Sequence, residues 1–194
     1  MLTGKQFKRA FISGANNILN HRKDVDALNV FPVPDGDTGT NMSMTSSAAV
    51  REIQVVSDDE DLSIVAAKTA AALLRGARGN SGVILSLVFR GISNGFKGKK
   101  EVGGKDLAAA LTLGKESAYK AVMKPTEGTI LTVVRKAAAA AEALALDDCG
   151  AVLDEAYRAA QEALAETPEL LPVLKEAGVV DAGGQGFLYI LDGI

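Results

Sequence analysis

The chain has 194 residues, of which 47% are hydrophobic, 23% charged and 5% aromatic, and its formal net charge is −3. This length suits one globular domain with a substantial core, and the slightly acidic balance gives no electrostatic case for binding nucleic acid. Cys149 is the only cysteine, which excludes an internal disulfide and a cysteine-based zinc site. Since no apolar run is long enough for a signal peptide or a transmembrane segment, we expect a cytoplasmic protein.

Apolar residues recur along the chain at the spacing of three and four positions that is typical of helices. We predict about eight helices and no strand. They begin near Phe7, Asn41, Leu62, Asn80, Leu107, Ile130, Leu153 and Gly183. The helix from Asn80 to Phe96 is apolar around nearly its whole circumference and is therefore expected in the middle of the protein. Alanine-rich faces favour close packing of antiparallel helices, so the predicted fold class is all-α.

The breaks between these helices are short and are marked by glycine or proline. Because there is no long linker, low-complexity run or repeat, residues 1–194 are interpreted as a single domain. The last helix runs to Ile194 without a stop signal, which suggests that the domain belongs to a longer protein.

The most informative segment, Asn29–Met42, reads NVFPVPDGDTGTNM. Pro32 and Pro34 prevent a regular helix and make the approach to the acidic residues extended and stiff. Asp35 and Asp37 then lie one residue apart on a constrained turn, where two carboxylates can converge on a cation. Mg²⁺ usually takes one or two carboxylates and fills its other positions with water and phosphate oxygens. The pattern therefore favours a magnesium site.

Other interpretations of the same residues are available. Asp35, Asp37 and Thr40 are also residue types that cap helices and form Asx-turns. An Asp-x-Asp-x-Thr sequence occurs in haloacid-dehalogenase-type hydrolases as well, but that fold requires a buried parallel strand before the motif and strand–helix alternation elsewhere. We keep that hydrolase as a less favoured alternative. An EF-hand loop is excluded, because its fifth and twelfth positions hold Gly39 and Ser46.

Three glycine-containing segments open predicted helices and suit phosphate binding. They are Gly76–Gly82, Glu127–Ile130 and Asp181–Gly186. A helix N-terminus presents unpaired N–H groups and the positive end of the helix dipole. None of the three matches a Walker or Rossmann fingerprint, but together with the acidic turn they indicate a nucleotide site. Arg78 and Arg135 either contact phosphate or form structural ion pairs.

Four segments resemble the ATP-binding subunit of fatty acid kinase. They are Asn29–Met42, Arg78–Ser86 (RGNSGVILS), Ala118–Pro125 (AYKAVMKP) and Glu127–Val133 (EGTILTV). The likeness covers essentially the whole chain, and the domain it resembles is related to the nucleotide-binding DhaL domain of dihydroxyacetone kinases. This resemblance implies an antiparallel barrel of eight helices that binds ATP and two Mg²⁺ ions at one end.

The resemblance also implies roles for individual residues. Asp35 and Asp37 are the expected metal ligands, and Thr40 is expected close to the metals and phosphates as the third catalytic residue. Asn29 stands in place of a further aspartate of the DhaL pattern, with an offset of one residue, and is the third expected metal ligand. The expected nucleotide contacts are Thr38, Gly39, Thr40, Asn41, Gly79, Asn80, Ser81, Gly128, Thr129, Ile130, Asp181, Ala182 and Gly183.

The implied reaction transfers the γ-phosphoryl group of ATP to the carboxylate of a fatty acid, giving an acyl phosphate, while a separate fatty-acid-binding partner protein presents the acid. A carboxylate is already ionised at neutral pH and needs no general base. Because chains of this family continue into further domains, we expect residues 1–194 to bind ATP with little activity alone. A homodimer formed through those domains is one expectation for assembly. An alternative function is a DhaL-type subunit that holds ADP as a cofactor.

Overall fold

In the computed structural model, which describes all 194 residues, the chain forms ten helices and two strands of two residues each. Eight helices have twelve residues or more, and this confirms the predicted all-α class. None of the helices is both long and apolar enough to cross a lipid bilayer. The elements are β1 (Leu2–Thr3), α1 (Gly4–Asn20), α2 (Arg22–Leu28), α3 (Thr38–Ile53), α4 (Leu62–Gly76), α5 (Gly79–Gly95), β2 (Glu101–Val102), α6 (Gly104–Ala121), α7 (Ile130–Leu144), α8 (Cys149–Leu170), α9 (Pro172–Ala177) and α10 (Ala182–Gly193).

The apolar periodicity that predicted the long helices corresponds to their burial. In α4, Leu62, Val65 and Leu73 are each no more than 1% exposed, because residues three and four apart share one helix face. The first helix has a defined start as well. The Thr3 side chain accepts a hydrogen bond from the Gln6 N–H, while the Gln6 side chain accepts one from the Thr3 N–H. This reciprocal capping box fixes the beginning of α1.

The long helices close into a barrel around one hydrophobic core of 38 buried residues. Helix α1 packs against α3, α4 and α10, α5 lies between α4 and α6, and α10 completes the barrel by packing on α7 and α8. Helices α5 and α6 approach each other closely, since a Cβ on Gly91 would lie 2.2 Å from the Leu113 backbone oxygen. Small residues therefore let these helices pack backbone to backbone, as the composition predicted.

The expectation that α5 is buried on all sides is wrong for one face. Leu85 and Val88 are no more than 1% exposed, but Val83 is 43% exposed and Ile84 and Leu87 are half-buried. These three residues line a cleft at one end of the barrel. The apolar circumference of α5 thus serves two surfaces, the core and the cleft wall.

The short elements were not predicted from the sequence. Strands β1 and β2 pair antiparallel, with Leu2 opposite Val102. Helices α2 and α9 bury one side chain each, Val25 and Leu174, so they carry no periodic apolar pattern. The resulting barrel has no parallel sheet, and it therefore differs from the alternating strands and helices that the hydrolase alternative requires.

Candidate functional site

A cleft of about 640 Å³ opens at the end of the barrel where the N-termini of α3, α5, α7 and α10 meet. The turn before α3 and the loop between α6 and α7 form its other walls. Most residues that the sequence nominated for a nucleotide and metal site line this one cleft. They are Asn29, Asp35, Asp37, Thr38, Asn41, Gly79, Asn80, Ser81, Thr129, Ile130, Asp181 and Gly183.

The Asp37 carboxylate does not cap the helix that it precedes. Asp37 occupies the N-cap position of α3, yet its side chain accepts no hydrogen bond from that helix. The first turn of α3 is capped instead by Asp26 of α2. Its Oδ1 accepts a hydrogen bond from the Thr40 N–H at 2.8 Å, and its Oδ2 accepts one from the Thr40 hydroxyl at 2.7 Å. The carboxylates of Asp35 and Asp37 take part in no hydrogen bond or ion pair within the chain. Both carboxylates therefore keep all their acceptor capacity for a ligand, and the capping alternative is wrong for them.

Asn29 holds the acidic turn in shape. Its Oδ1 accepts a hydrogen bond from the Asp37 N–H at 3.1 Å, and its Nδ2 donates to the Val33 carbonyl oxygen at 3.1 Å. The residue is 7% exposed and lines the cleft. One acceptor position of Oδ1 is thus used by the backbone, and metal ligation by Asn29 remains a prediction.

The acidic residues suit a hard cation that is only partly enclosed by protein. Nowhere does the chain gather three or more histidine, cysteine, aspartate or glutamate side chains into a metal-binding group. A cation at this turn would have Asp35 and Asp37 as its charged ligands and would need further oxygens from water or a bound phosphate. That donor set fits Mg²⁺, which dehydrates reluctantly and is commonly held by one or two carboxylates together with substrate phosphates.

Two helix starts in the cleft present unpaired backbone donors. In α3, the N–H groups of Thr38 and Gly39 have no acceptor within the chain. In α5, the N–H groups of Gly79, Asn80 and Ser81 have none either, and Arg78 at the N-cap makes no side-chain capping bond. Converging N–H groups at the positive ends of two helix dipoles form a site for an anion such as phosphate.

Close packing holds these two helix starts together. Gly79 has φ +64°, and a Cβ there would lie 2.4 Å from the Asn41 Nδ2, so only glycine fits both the conformation and the space. One turn further, the Thr45 hydroxyl oxygen accepts the Arg78 N–H at 3.0 Å. A Cβ on Gly82 would lie 2.4 Å from the same oxygen. The relative position of these two helix starts therefore depends on a tight α3–α5 contact.

The starts of α7 and α10 are capped, unlike those of α3 and α5. The Thr129 hydroxyl oxygen accepts the Leu131 N–H at 3.3 Å, and Asp181 Oδ2 accepts the Gly184 N–H at 2.8 Å. Asp181 is 5% exposed, and this burial raises the pKa of its carboxyl to about 6, although hydrogen bonds from the Gly184 and Ile130 amides oppose the shift. Asp181 thus links the two capped helix starts beside the cleft.

Four of the nominated residues lie behind the cleft surface instead of on it. Thr40 gives both of its donors to Asp26. Gly39 packs against α2, since a Cβ there would lie 2.1 Å from the Arg22 carbonyl oxygen. The Gly128 N–H donates to the Thr132 hydroxyl at 2.8 Å, and Ala182 is 3% exposed. These residues support the walls of the cleft, and direct ligand contacts by them remain predictions.

The loop between α6 and α7 is anchored through Glu127. The carboxylate of Glu127 accepts hydrogen bonds from the hydroxyls of Tyr119 and Thr132 and pairs with Arg135 at 3.0 Å. Burial would raise the pKa of Glu127, but the hydrogen bonds from Thr132 and Arg135 outweigh it and lower that pKa. Of the two roles open to Arg135 from the sequence, the structure shows the ion pair.

Sequence reasoning missed two charged residues at the site. Asp26 lies in a charged stretch typical of a solvated helix face, and no local pattern indicates its contact with Thr40, fourteen residues later. Lys124 lines the cleft. It lies within Ala118–Pro125, one of the four segments that resemble fatty acid kinase, and this is the only signal for it in the sequence.

The sequence of the chain matches a known protein family over most of its length. Residues 32–194 match the DAK2 domain. The chain belongs to the DAK2 domain family. Across 194 residues, 99% of the chain, this DAK2 domain is 50% identical to Protein YloV of Bacillus subtilis (strain 168). It is 46% identical to uncharacterized proteins of Staphylococcus haemolyticus (strain JCSC1435) and Staphylococcus aureus (strain USA300). In each case the chain spans 35% of the relative's length.

The fold of this DAK2 domain also occurs in a solved enzyme. It is similar to the crystal structure of the dihydroxyacetone kinase of C. freundii in its native form, with a TM-score of 0.66 and 20% sequence identity. The match covers 96% of this chain and 33% of that one. At this identity the likeness establishes a shared all-α fold, in agreement with the predicted DhaL-like barrel.

Proposed function

We propose that this DAK2 domain is the ATP- and Mg²⁺-binding part of a kinase. The observation that carries the proposal is the meeting, in one cleft, of the unpaired carboxylates of Asp35 and Asp37 with two helix starts whose N–H groups have no partner. Phosphoryl transfer needs positioning and charge neutralisation more than covalent participation by the protein. The cleft offers both kinds of group, the carboxylates on the turn before α3 and the N–H groups at the starts of α3 and α5.

The residues would divide the work according to their chemistry. The N–H groups of Thr38 and of Gly79 to Ser81, which line the cleft, would bind phosphate oxygens and orient the chain of phosphates. Asp35 and Asp37 would hold Mg²⁺, which when bound would supply positive charge to the β- and γ-phosphates. The apolar residues of α5 would pack against the base and exclude water from that side of the cleft.

We further propose that the phosphoryl acceptor is a carboxylate, that of a fatty acid held by a separate partner protein. The support for this finer step is the resemblance of the four sequence segments described above. It agrees with the side chains of the cleft, which include no histidine to activate a hydroxyl. A carboxylate acceptor is ionised at neutral pH and needs no such base. The product would be an acyl phosphate.

The proposal is tested by calorimetry of ATP and ADP with and without Mg²⁺. The wild-type chain should bind ATP in a Mg²⁺-dependent manner. Asp35→Ala and Asp37→Ala should each abolish that binding while the helical circular dichroism stays unchanged, since both side chains are unpaired in the fold. Asp154→Ala, at an exposed position of α8, is the matched control and should bind as the wild type does. Unchanged nucleotide affinity in either cleft variant would remove that residue from the site.

A second candidate function is a subunit that holds ADP as a permanent cofactor. The capped starts of α7 and α10 beside the cleft favour a site with a stable wall, which either function could use. Exchange of labelled ADP separates the two functions, because a kinase that uses ATP must release ADP in every cycle. Rapid exchange would support the kinase, and retention of ADP through repeated dialysis would support the cofactor role.

A further inference from the structure

Lys124 is the only basic side chain that lines the cleft. The other charged residues there are Asp35, Asp37 and Asp181, so the charged lining is mainly acidic. Lys124 is exposed, and its ammonium group takes part in no ion pair or hydrogen bond within the chain. A lone, unpaired cation among carboxylates has its charge available for a ligand that enters the cleft.

The loop that carries Lys124 is fixed at its far end. Three side chains, those of Tyr119, Thr132 and Arg135, bind the carboxylate of Glu127, and two of these three belong to α7. Pro125 follows Lys124 directly and restricts the backbone of both residues. The position of Lys124 is therefore coupled to α7, whose own start lies in the cleft.

We propose that the Lys124 ammonium binds the phosphate groups of the nucleotide from the α6–α7 loop, which lines the same cleft as the helix starts of α3 and α5. This inference rests on the proposed function. The carboxylates that line the cleft repel a polyphosphate wherever no bound cation screens them. A lysine ammonium offsets such repulsion, and it is a common point-charge ligand for phosphate. Lys124 would add a side-chain charge to the backbone dipoles of the helix starts and to any Mg²⁺ that Asp35 and Asp37 would hold.

The test is calorimetry of Mg²⁺·ATP with three variants of the whole chain. Lys124→Ala should weaken binding by about tenfold at an ionic strength of about 0.05 M, and the loss should shrink to about twofold at about 0.5 M, where salt screens an exposed charge pair. Lys124→Arg keeps the charge and should bind within about threefold of the wild type. Lys136→Ala removes an equally exposed charge from α7, away from the cleft, and should have no effect.

The possible results separate the proposed function from the role of Lys124. If wild-type protein binds no adenine nucleotide, the proposed function fails and the role of Lys124 fails with it. If the wild type binds ATP and Lys124→Ala binds equally well, the kinase proposal stands and the Lys124 contact is overturned. A loss in Lys124→Ala that is the same at both salt concentrations would also overturn it, because such a loss reports a change in the loop and not a missing charge.

Discussion

Asp181 is a carboxylate held inside the protein at the edge of the cleft. Its Oδ2 caps α10 through the Gly184 N–H, and its own N–H donates to the Thr167 hydroxyl at 3.1 Å. The hydrogen bonds favour the ionised form, whereas burial opposes it more strongly and raises the pKa of Asp181 to about 6. The residue therefore serves the fold at some cost to stability whenever it is charged.

The stability of the protein should depend on the ionisation of Asp181. The carboxyl pKa of Asp181 is about 6 in the folded state, whereas its ordinary value, taken for the unfolded state, is 3.8. Between about pH 4 and 6 the folded state therefore binds a proton that the unfolded state releases. The associated stability is present below pH 4 and is lost as the pH rises through 6, by up to about 3 kcal/mol. Asp181→Asn keeps an oxygen acceptor for the cap without the charge.

We therefore expect Asp181→Asn to be more stable than the wild type at pH 8, by about 1–3 kcal/mol, and to be similar at pH 4. Urea denaturation of both proteins at several pH values measures this difference. Curves of unfolding free energy against pH that stay parallel for the two proteins would show that the Asp181 carboxyl does not titrate in this range.

Among the single elements, helix α2 supports the candidate site through the side chain of Asp26. This seven-residue helix buries only Val25 in the core, but its Asp26 binds the N–H and hydroxyl of Thr40 in the first turn of α3. Asp26 thereby ties the acidic turn and the start of α3 to the neighbouring helix. A short element with little packing of its own is thus part of the support of the site.

Removal of the Asp26 carboxylate should loosen that support. Asp26→Ala should lower the free energy of unfolding by about 1–2 kcal/mol, because the first turn of α3 loses its cap. It should also weaken Mg²⁺·ATP binding. Asp24→Ala changes an exposed acid on the same helix that makes no side-chain hydrogen bond, and it should leave both quantities unchanged. Equal unfolding free energies in the two variants, measured by urea denaturation, would exclude the capping role.

The long helices could be predicted from the sequence because their buried residues, such as Leu62 and Leu73, repeat at helical intervals. The acidic turn and the helix starts could be nominated because prolines, glycines and carboxylates are concentrated there. The contact of Asp26 with Thr40 could not, since it depends on the path of the chain between them. Nor could the exposed face of α5, because an apolar side chain packs equally well against a core or a cleft wall.

For the molecule as a whole, the main observation is that the DAK2 domain has a core of its own but is much shorter than its relatives. The barrel has its own continuous core, and the cleft is built from helices spread over the whole chain. Yet the chain spans 35% of the length of YloV. This coverage agrees with our proposal that the DAK2 domain binds the nucleotide and that the acceptor is brought by other parts of the longer relatives or by their partners.

Under the proposed function, we expect residues 1–194 alone to bind ATP but to form acyl phosphate from partner-bound oleate at least about a hundredfold more slowly than a chain of the full length of the relatives, because transfer requires accurate positioning of the acceptor. Formation of acyl phosphate, measured with the isolated chain and with full-length YloV under the same conditions, checks this. Equal rates would contradict the division of labour and would assign the whole reaction to this domain.

Helix α5 contributes backbone N–H groups and then apolar side chains to the cleft as it runs along the cleft wall. Its first residues, Gly79 to Ser81, turn backbone donors toward the cleft, and Leu87 adds an apolar side chain six positions after Ser81. At a rise of about 1.5 Å per residue, these positions are about 9 Å apart. Along that length the cleft wall changes from backbone donors to the apolar side chains of Val83, Ile84 and Leu87. A molecule that carries both an anionic and an apolar group can therefore contact both parts of α5, whereas free phosphate can contact only the first.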